Sequence, residues 1–285
     1  MNPLTVVILA AGRGMRMRSA RPKLAHDLCG WPLVRWPVAA AREAGATGVI
    51  AVVSAESPLD GALPDGVLCV TQATPNGTGG AVLAAGPQMD RSGSVIVLNG
   101  DVPLVDAALL RELAAAHERS GAAATMVTIE LEDPRGYGRV LRDAGGAVER
   151  VVETKNSGEA TASELEIREV NTGVFAFKPD VLLDQLARVP PVGEEIYLPG
   201  VLPLIRAAGG AVATFAAEDP ALLLGVNDRA QLAVVRAEAQ RRIHERHMLA
   251  GVTIVQPAST IIDVGVKIAP DTLIEPCTQL LGDTR

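Results

Sequence analysis

The residues best suited to chemistry gather near the start of the chain. Val6-Val7-Ile8-Leu9-Ala10-Ala11 is an apolar run that ends in Gly12-Arg13-Gly14. Glycines let the main chain approach an anion closely and turn its N–H groups toward it. Arg13, Arg16, Arg18, Arg21 and Lys23 follow, five cations in eleven residues of a chain whose formal net charge is -7. The pattern reads as a phosphate-handling loop at the carboxyl end of a first strand, where doubly wound sheets bind ligands. Taken alone it also reads as an exposed basic loop. Met17 stands where a dinucleotide fingerprint has its third glycine, and no Gly-Lys-Ser/Thr follows at P-loop spacing. Lys23 is the only lysine before Lys155, and a compact ammonium can follow a phosphate whose charge shifts during reaction.

Asn99-Gly100-Asp101 ends a second apolar run, residues 95–98. A carboxylate at a strand's carboxyl end, with glycine before it, can hold a hard cation on bound phosphates; an Asp before a helix is also a common cap. Gln72 precedes Gly77-Thr78-Gly79. Its amide offers a donor and an acceptor to a base edge, whereas Asn76-Gly77 by itself is a turn. Asn227, in Gly225-Val226-Asn227, passes alone as a helix cap. His244-Glu245-Arg246-His247 lacks the zinc-binding His-Glu-x-x-His pattern and lies on a polar segment, so both imidazoles are expected in solvent. Trp31 and Trp36 flank an early helix and are expected in the core. Cys29, Cys69 and Cys277 fit neither a disulfide framework nor a zinc motif, and are expected as buried reduced thiols.

The elements that position these residues follow from periodicity. Residues 5–11, 49–54, 67–71 and 94–98 read as near-continuously apolar strands, with helices at 33–44, 78–85 and 107–120. That alternation predicts a parallel sheet covered on both faces. Residues 124–130, 139–141, 147–152 and 170–177 carry fewer helices between them and predict mixed sheet forming a lobe against the first half. Alternation returns over 179–187, 197–207 and 212–216. Residues 227–249, with Leu232, Val235, Ala239 and Ile243 three or four apart, predict a long connecting helix capped by Asp228 and stopped at Gly251. Beyond it Ile262, Ile268, Ile274 and Leu280 recur every six residues, the period of a three-sided parallel β-helix. Four hexads make only about one and a third coils, so the chain is expected to be cut short.

Hydrophobic residues are 48% of the 285 and aromatic residues 2%, so the core must be aliphatic. An acidic balance without aromatic platforms argues against nucleic acid as a partner. No apolar run is long enough to span a bilayer and no signal-peptide pattern opens the chain, which predicts no membrane association and a cytoplasmic location.

Leu9-Ala10-Ala11-Gly12-x-Gly14-x-Arg16-Met17-x-Ser19-x-x-Pro22-Lys23-x-x-His26 resembles the signature of sugar-nucleotide pyrophosphorylases. Within them the chain is most similar to the bifunctional N-acetylglucosamine-1-phosphate uridylyltransferase/glucosamine-1-phosphate acetyltransferase family, over nearly its whole length. The resemblance implies a Rossmann-like α/β nucleotidyltransferase domain with a mixed, mostly parallel sheet (1–228), a linker helix (229–250) and the truncated start of a left-handed hexapeptide β-helix (251–285). It implies that Leu9, Ala10, Ala11, Gly12, Gln72, Gly77 and Thr78 bind the nucleotide, with Arg16 and Lys23 on its phosphates. By the same resemblance Asp101, catalytic with Arg16 and Lys23, holds Mg²⁺ together with Asn227, and both join Asn99, Gly100, Gly138, Glu153 (with Lys155) and Asn171 in holding the sugar phosphate. The implied substrates are UTP and N-acetylglucosamine 1-phosphate. A related enzyme for another sugar or base, and a catalytically silent sensor or assembly subunit, remain alternatives. Acetyl transfer is not expected, since the residues for that step would fall beyond Arg285. Homotrimers are implied for the full-length family, less so for a stub. The sequence departs from the family at Met15 (usually Thr), Ala25 (usually Leu), Gly80 (usually His) and Gly200 (usually Asp).

Overall fold

In strand β1 (Leu4–Ala10) alternate side chains serve opposite faces. Val6 and Ile8 enter one buried cluster and Val7 a second. The same division runs through the sheet, so it is packed on both sides. The computed structural model describes residues 2–56, 59, 61–154 and 160–285; Lys155 lies outside the described residues.

After β1 come a short hairpin, β2 (Asp27–Leu28) and β3 (Trp31–Pro32), then α1 (Arg35–Glu43), β4 (Gly48–Ser54), β5 (Leu68–Gln72), α2 (Gly77–Ala85), β6 (Ser94–Asn99) and α3 (Ala107–Ser120). The middle section holds β7 (Ala124–Glu130), β8 (Gly138–Arg142), β9 (Val148–Val152), α4 (Ala162–Leu165) and β10 (Glu169–Phe177). It is followed by α5 (Pro179–Leu186), α6 (Val201–Ala207), β11 (Val212–Ala216) and α7 (Arg229–Leu249). The main sheet has the order β11-β7-β10-β6-β1-β4-β5, with the β8–β9 hairpin joined to β10. Pairings among β5, β4, β1 and β6 are parallel, and so is β11 with β7. Only β10 runs against both its neighbours in this row. The expected mixed, mostly parallel sheet is present, and the middle section contributes strands to it as well as the hairpin beside it.

One face is covered by α1, α3 and α7, which contribute Val38, Leu110, Leu113, Val235 and Ile243 to a shared cluster. The other is covered by α2, α5 and α6 through Val82, Leu186 and Ile205. Asp106 caps α3 by accepting from Leu109 N at 2.8 Å, and Asp228 caps α7 by accepting from Gln231 N at 2.8 Å.

After α7, β12 (Thr253–Ile254) pairs in parallel with β14 (Leu273–Ile274), and β13 (Ile261–Ile262) with β15 (Gln279–Leu280). Ile262 thus meets Leu280 three hexads later. This segment packs back on the molecule: Gln240 exchanges two hydrogen bonds with the main chain of Ile262, and Val264 N donates to Cys29 O at 2.9 Å.

That packing corrects the expectation for the histidines. His244 and His247 are buried, because the segment after α7 covers their face of the helix. Two smaller corrections follow. Among the cysteines only Cys29 is buried, while Cys69 and Cys277 are exposed free thiols. Trp31 and Trp36 are half-buried and meet edge to face at 5.9 Å, with the Arg35 guanidinium over Trp31.

Candidate functional site

Three segments distant in sequence meet at the carboxyl ends of β1 and β6. The first is the loop after β1. Gly14 adopts φ +62°, and a Cβ there would lie 2.5 Å from Lys23 Cβ, so the close return of the chain onto Lys23 requires glycine. The second is the end of β6, where Gly100 N donates to Leu9 O at 2.9 Å. The third is the segment before α7, where Val226 N donates to Asp101 O at 2.8 Å.

Side chains close this triangle. Lys23 Nζ donates to Asp101 Oδ2 at 2.5 Å, with side chains 11% and 23% exposed. Arg16 Nη2 donates to Asn227 Oδ1 at 2.8 Å. Arg229 Nε donates to Met17 O at 3.1 Å and ties α7 to the same loop. All four residues expected to handle phosphate and metal therefore come together. Arg229 and the main chain of Val226 were not foreseen, since a residue opening a helix carries no sequence mark of such a contact.

Asp101 Oδ2 and Asn227 Oδ1 are hard oxygen donors, and each already faces a positive charge. Such a pair suits Mg²⁺, which takes few protein ligands and completes its shell with water and substrate oxygens. Among the described residues no group of three or more His, Cys, Asp or Glu is placed to hold a metal. Any ion here would lean on this pair and on bound phosphate.

On one side of the triangle lies a polar wall. Asn171 in β10 pairs with Gly138 in β8. Glu153 Oε1 lies 3.5 Å from where a Cβ on Gly138 would stand, and a Cβ on Gly173 would meet Asn99 Nδ2 at 2.4 Å. Asn99, Gly138, Glu153 and Asn171 are thus neighbours. The wall reaches the triangle through Tyr137, whose phenol pKa is raised by burial and by the negative charge of Asp101. Buried Arg139 donates to Pro134 O at 2.6 Å and to Tyr137 O, which fixes the turn carrying Tyr137.

On the other side is Gln72, the last residue of β5. Ala10 pairs with Val53, and Ser54 with Gln72, so Gln72 lies two strands across, about 10 Å, from the end of β1. Gln72 is buried and donates from Nε2 to Asn76 Oδ1 at 2.8 Å and to Gly77 O at 3.0 Å. The Thr78 hydroxyl accepts from Leu198 N at 3.0 Å, so its first task is to hold the neighbouring segment. Met15 is 79% exposed.

A sheet whose strand ends gather a glycine loop, cations and oxygen ligands is the scaffold of nucleotide transfer. The sequence matches the MobA-like NTP transferase domain over residues 6–149, and the chain belongs to that family of nucleotidyltransferases. It is also similar to the bifunctional protein GlmU of Kineococcus radiotolerans, 48% identical over 99% of this chain and 58% of that protein. Those of Geobacter sulfurreducens and Streptomyces avermitilis are 42% and 43% identical, each over 100% of this chain and 60% of the relative. The chain therefore spans about three-fifths of the length of these relatives. Among the described residues no helix is long and apolar enough to cross a membrane.

Proposed function

We propose that this protein is a uridylyltransferase that joins UTP to N-acetylglucosamine 1-phosphate, giving UDP-N-acetylglucosamine and pyrophosphate. The observation that carries the reading is the pairing of Lys23 with Asp101 and of Arg16 with Asn227 at one sheet edge. The polar wall of Asn99, Gly138, Glu153 and Asn171 on one side and Gln72 on the other support a sugar and a base held to either side of the phosphates.

A phosphate monoester is already a nucleophile. Its oxygen attacks the α-phosphorus of UTP, and the bond to the β-phosphate oxygen breaks with its electron pair leaving on pyrophosphate. No general base or covalent residue is needed, so catalysis rests on alignment and charge neutralisation. In this reading Leu9 to Gly12 present main-chain groups to the nucleotide, Gln72, Gly77 and Thr78 form the base pocket, and Arg16 and Lys23 turn from their present partners to the phosphates. Asp101 and Asn227 would hold Mg²⁺, whose chemistry here is to neutralise and align phosphate oxygens. Gly100 keeps the end of β6 close against Leu9, and Gly138, Glu153 and Asn171 bind the sugar hydroxyls and acetamido group. Residues 1–228 form the catalytic domain, 229–250 the linker, and 251–285 the start of a left-handed β-helix.

The test is product analysis after incubation with each nucleoside triphosphate and with acetylated or unacetylated sugar phosphate, with and without Mg²⁺. UDP-N-acetylglucosamine formed only with Mg²⁺ is the expected result. A preference for another base or sugar would redirect the assignment within the family, and binding of the nucleotide sugar without turnover would make the protein a sensor.

A further inference from the structure

Beside Gln72 lies a pair of residues with no part in the proposed chemistry. Asn76 is the N-cap of α2, where an asparagine side chain ordinarily accepts from an amide in the first turn. Here it makes no such bond. The amide it would satisfy, Gly79 N, is taken instead by Ile196 O at 2.7 Å. Released from capping, Asn76 Oδ1 accepts from Gln72 Nε2 at 2.8 Å.

One turn further on, a Cβ at Gly80 would stand 1.8 Å from Asn76 Oδ1 and 2.7 Å from its Nδ2. The Asn76 amide occupies the space that any side chain at position 80 would need. Position 80 is buried, so a side chain there could be accommodated only by moving the half-buried Asn76 amide out of this pose, away from Gln72. This pose of Asn76 therefore requires glycine at position 80, and the family's usual histidine there could not coexist with it.

The pair has a chemical consequence. Gln72 Nε2 faces two acceptors, Asn76 Oδ1 and Gly77 O, which commits both amide protons. A flipped amide would set its oxygen against those acceptors, so the orientation is fixed and Oε1 is turned away from them. An acceptor in that position favours a base edge carrying a ring N–H, as in uracil, over one with a bare ring nitrogen, as in cytosine.

We infer that Asn76 is a positioning residue for base selection, with Gly80 making room for it: together they lock Gln72 so that its carbonyl oxygen reads the pyrimidine N3–H. This rests on the proposed role of Gln72 as the base reader.

The test uses the 285-residue chain, with UTP and CTP compared in steady-state kinetics and UTP binding measured by calorimetry. Asn76→Ala is expected to raise the KM and Kd for UTP about fivefold, the scale of one hydrogen bond, with kcat changed less and the preference for UTP over CTP reduced. Asn76→Asp keeps an acceptor toward Gln72 and should recover the preference. Gly80→Ala should reproduce the Asn76→Ala defect but add nothing in the Asn76→Ala background, since the clash is then gone. Thermal melts identify any variant whose defect is loss of fold. The inference is overturned if Asn76→Ala leaves KM and base preference unchanged while Gln72→Ala alters them. It is equally overturned if Gly80→Ala is just as damaging without Asn76. Unaltered base preference in Gln72→Ala would instead remove the underlying reading of Gln72, and this inference with it.

Discussion

Lys23 and Asp101 show how much a single side chain decides. Their charges meet at 2.5 Å with little solvent around them, where screening is weak. Replacing Lys23 by Ala removes the cation proposed to neutralise the reacting phosphate and leaves Asp101 without that partner. Turnover should fall at least about a hundredfold, the scale of losing one preorganised charge contact. Pyrophosphate release by a variant with unchanged circular dichroism is the measurement, and near-normal turnover would reject the assignment. Gly14 supports the same lysine from behind. Gly14→Ala should lower turnover more than stability, because its Cβ would collide with Lys23 Cβ; equal losses in both would point to a merely structural turn. Residue types were legible in the sequence here: an isolated lysine, an arginine cluster and a carboxylate after an apolar run. Their pairing was not, because Lys23 and Asp101 are 78 positions apart and Arg16 and Asn227 are 211 apart, and no local pattern carries such information.

At the scale of elements, the reversed direction of β10 builds the polar wall. Phe175 pairs with Val97 and Phe177 with Val95, so the early residues of β10 arrive at the late end of β6. A parallel strand would have sent Asn171 to the opposite edge. The strands were legible because residues buried on both faces are apolar throughout. The β2–β3 hairpin and α4 were not, since two-residue strands and a four-residue helix show no period. The start of α7 was foreseen in its cap. Asp228→Ala should cost about 1 kcal/mol of stability, read from urea unfolding. It should also weaken nucleotide binding, because Asn227 N bonds to Gln231 Oε1 in the same first turn. An unchanged unfolding midpoint would show that tertiary contacts alone hold this turn.

Across the whole molecule, α7 and the segment after it join the sheet's core, with Val252, Ile254, Ile262 and Ile274 in the same cluster as Val6 and Ile96. Six-residue spacing made the inward residues legible, but the surface they cover could not be read, hence the misplaced histidines. His26, His117, His244 and His247 all have pKa values lowered from 6.5, first by burial, and each Nε2 is buried without a hydrogen-bond partner among the described residues. The folded state therefore favours neutral imidazole while the unfolded chain takes up protons near 6.5, so stability is full above that value and falls as pH drops toward the folded values. Thermal melts at about pH 7.5 and about pH 5.5 should show this loss, and His247→Leu should reduce it; an equal slope in both proteins would exclude His247 as a source. The contact from Arg16 to Asn227 also sets a schedule for biosynthesis. At about 5–20 residues per second, roughly 10–40 s of translation separate the two, so a nascent chain can pair β1 with β4, and bring Lys23 to Asp101, well before Arg16 has its partner. Products released short of Asn227 would lack both the partner of Arg16 and the α7 residues that complete the core, so this closure waits until synthesis has passed the third segment.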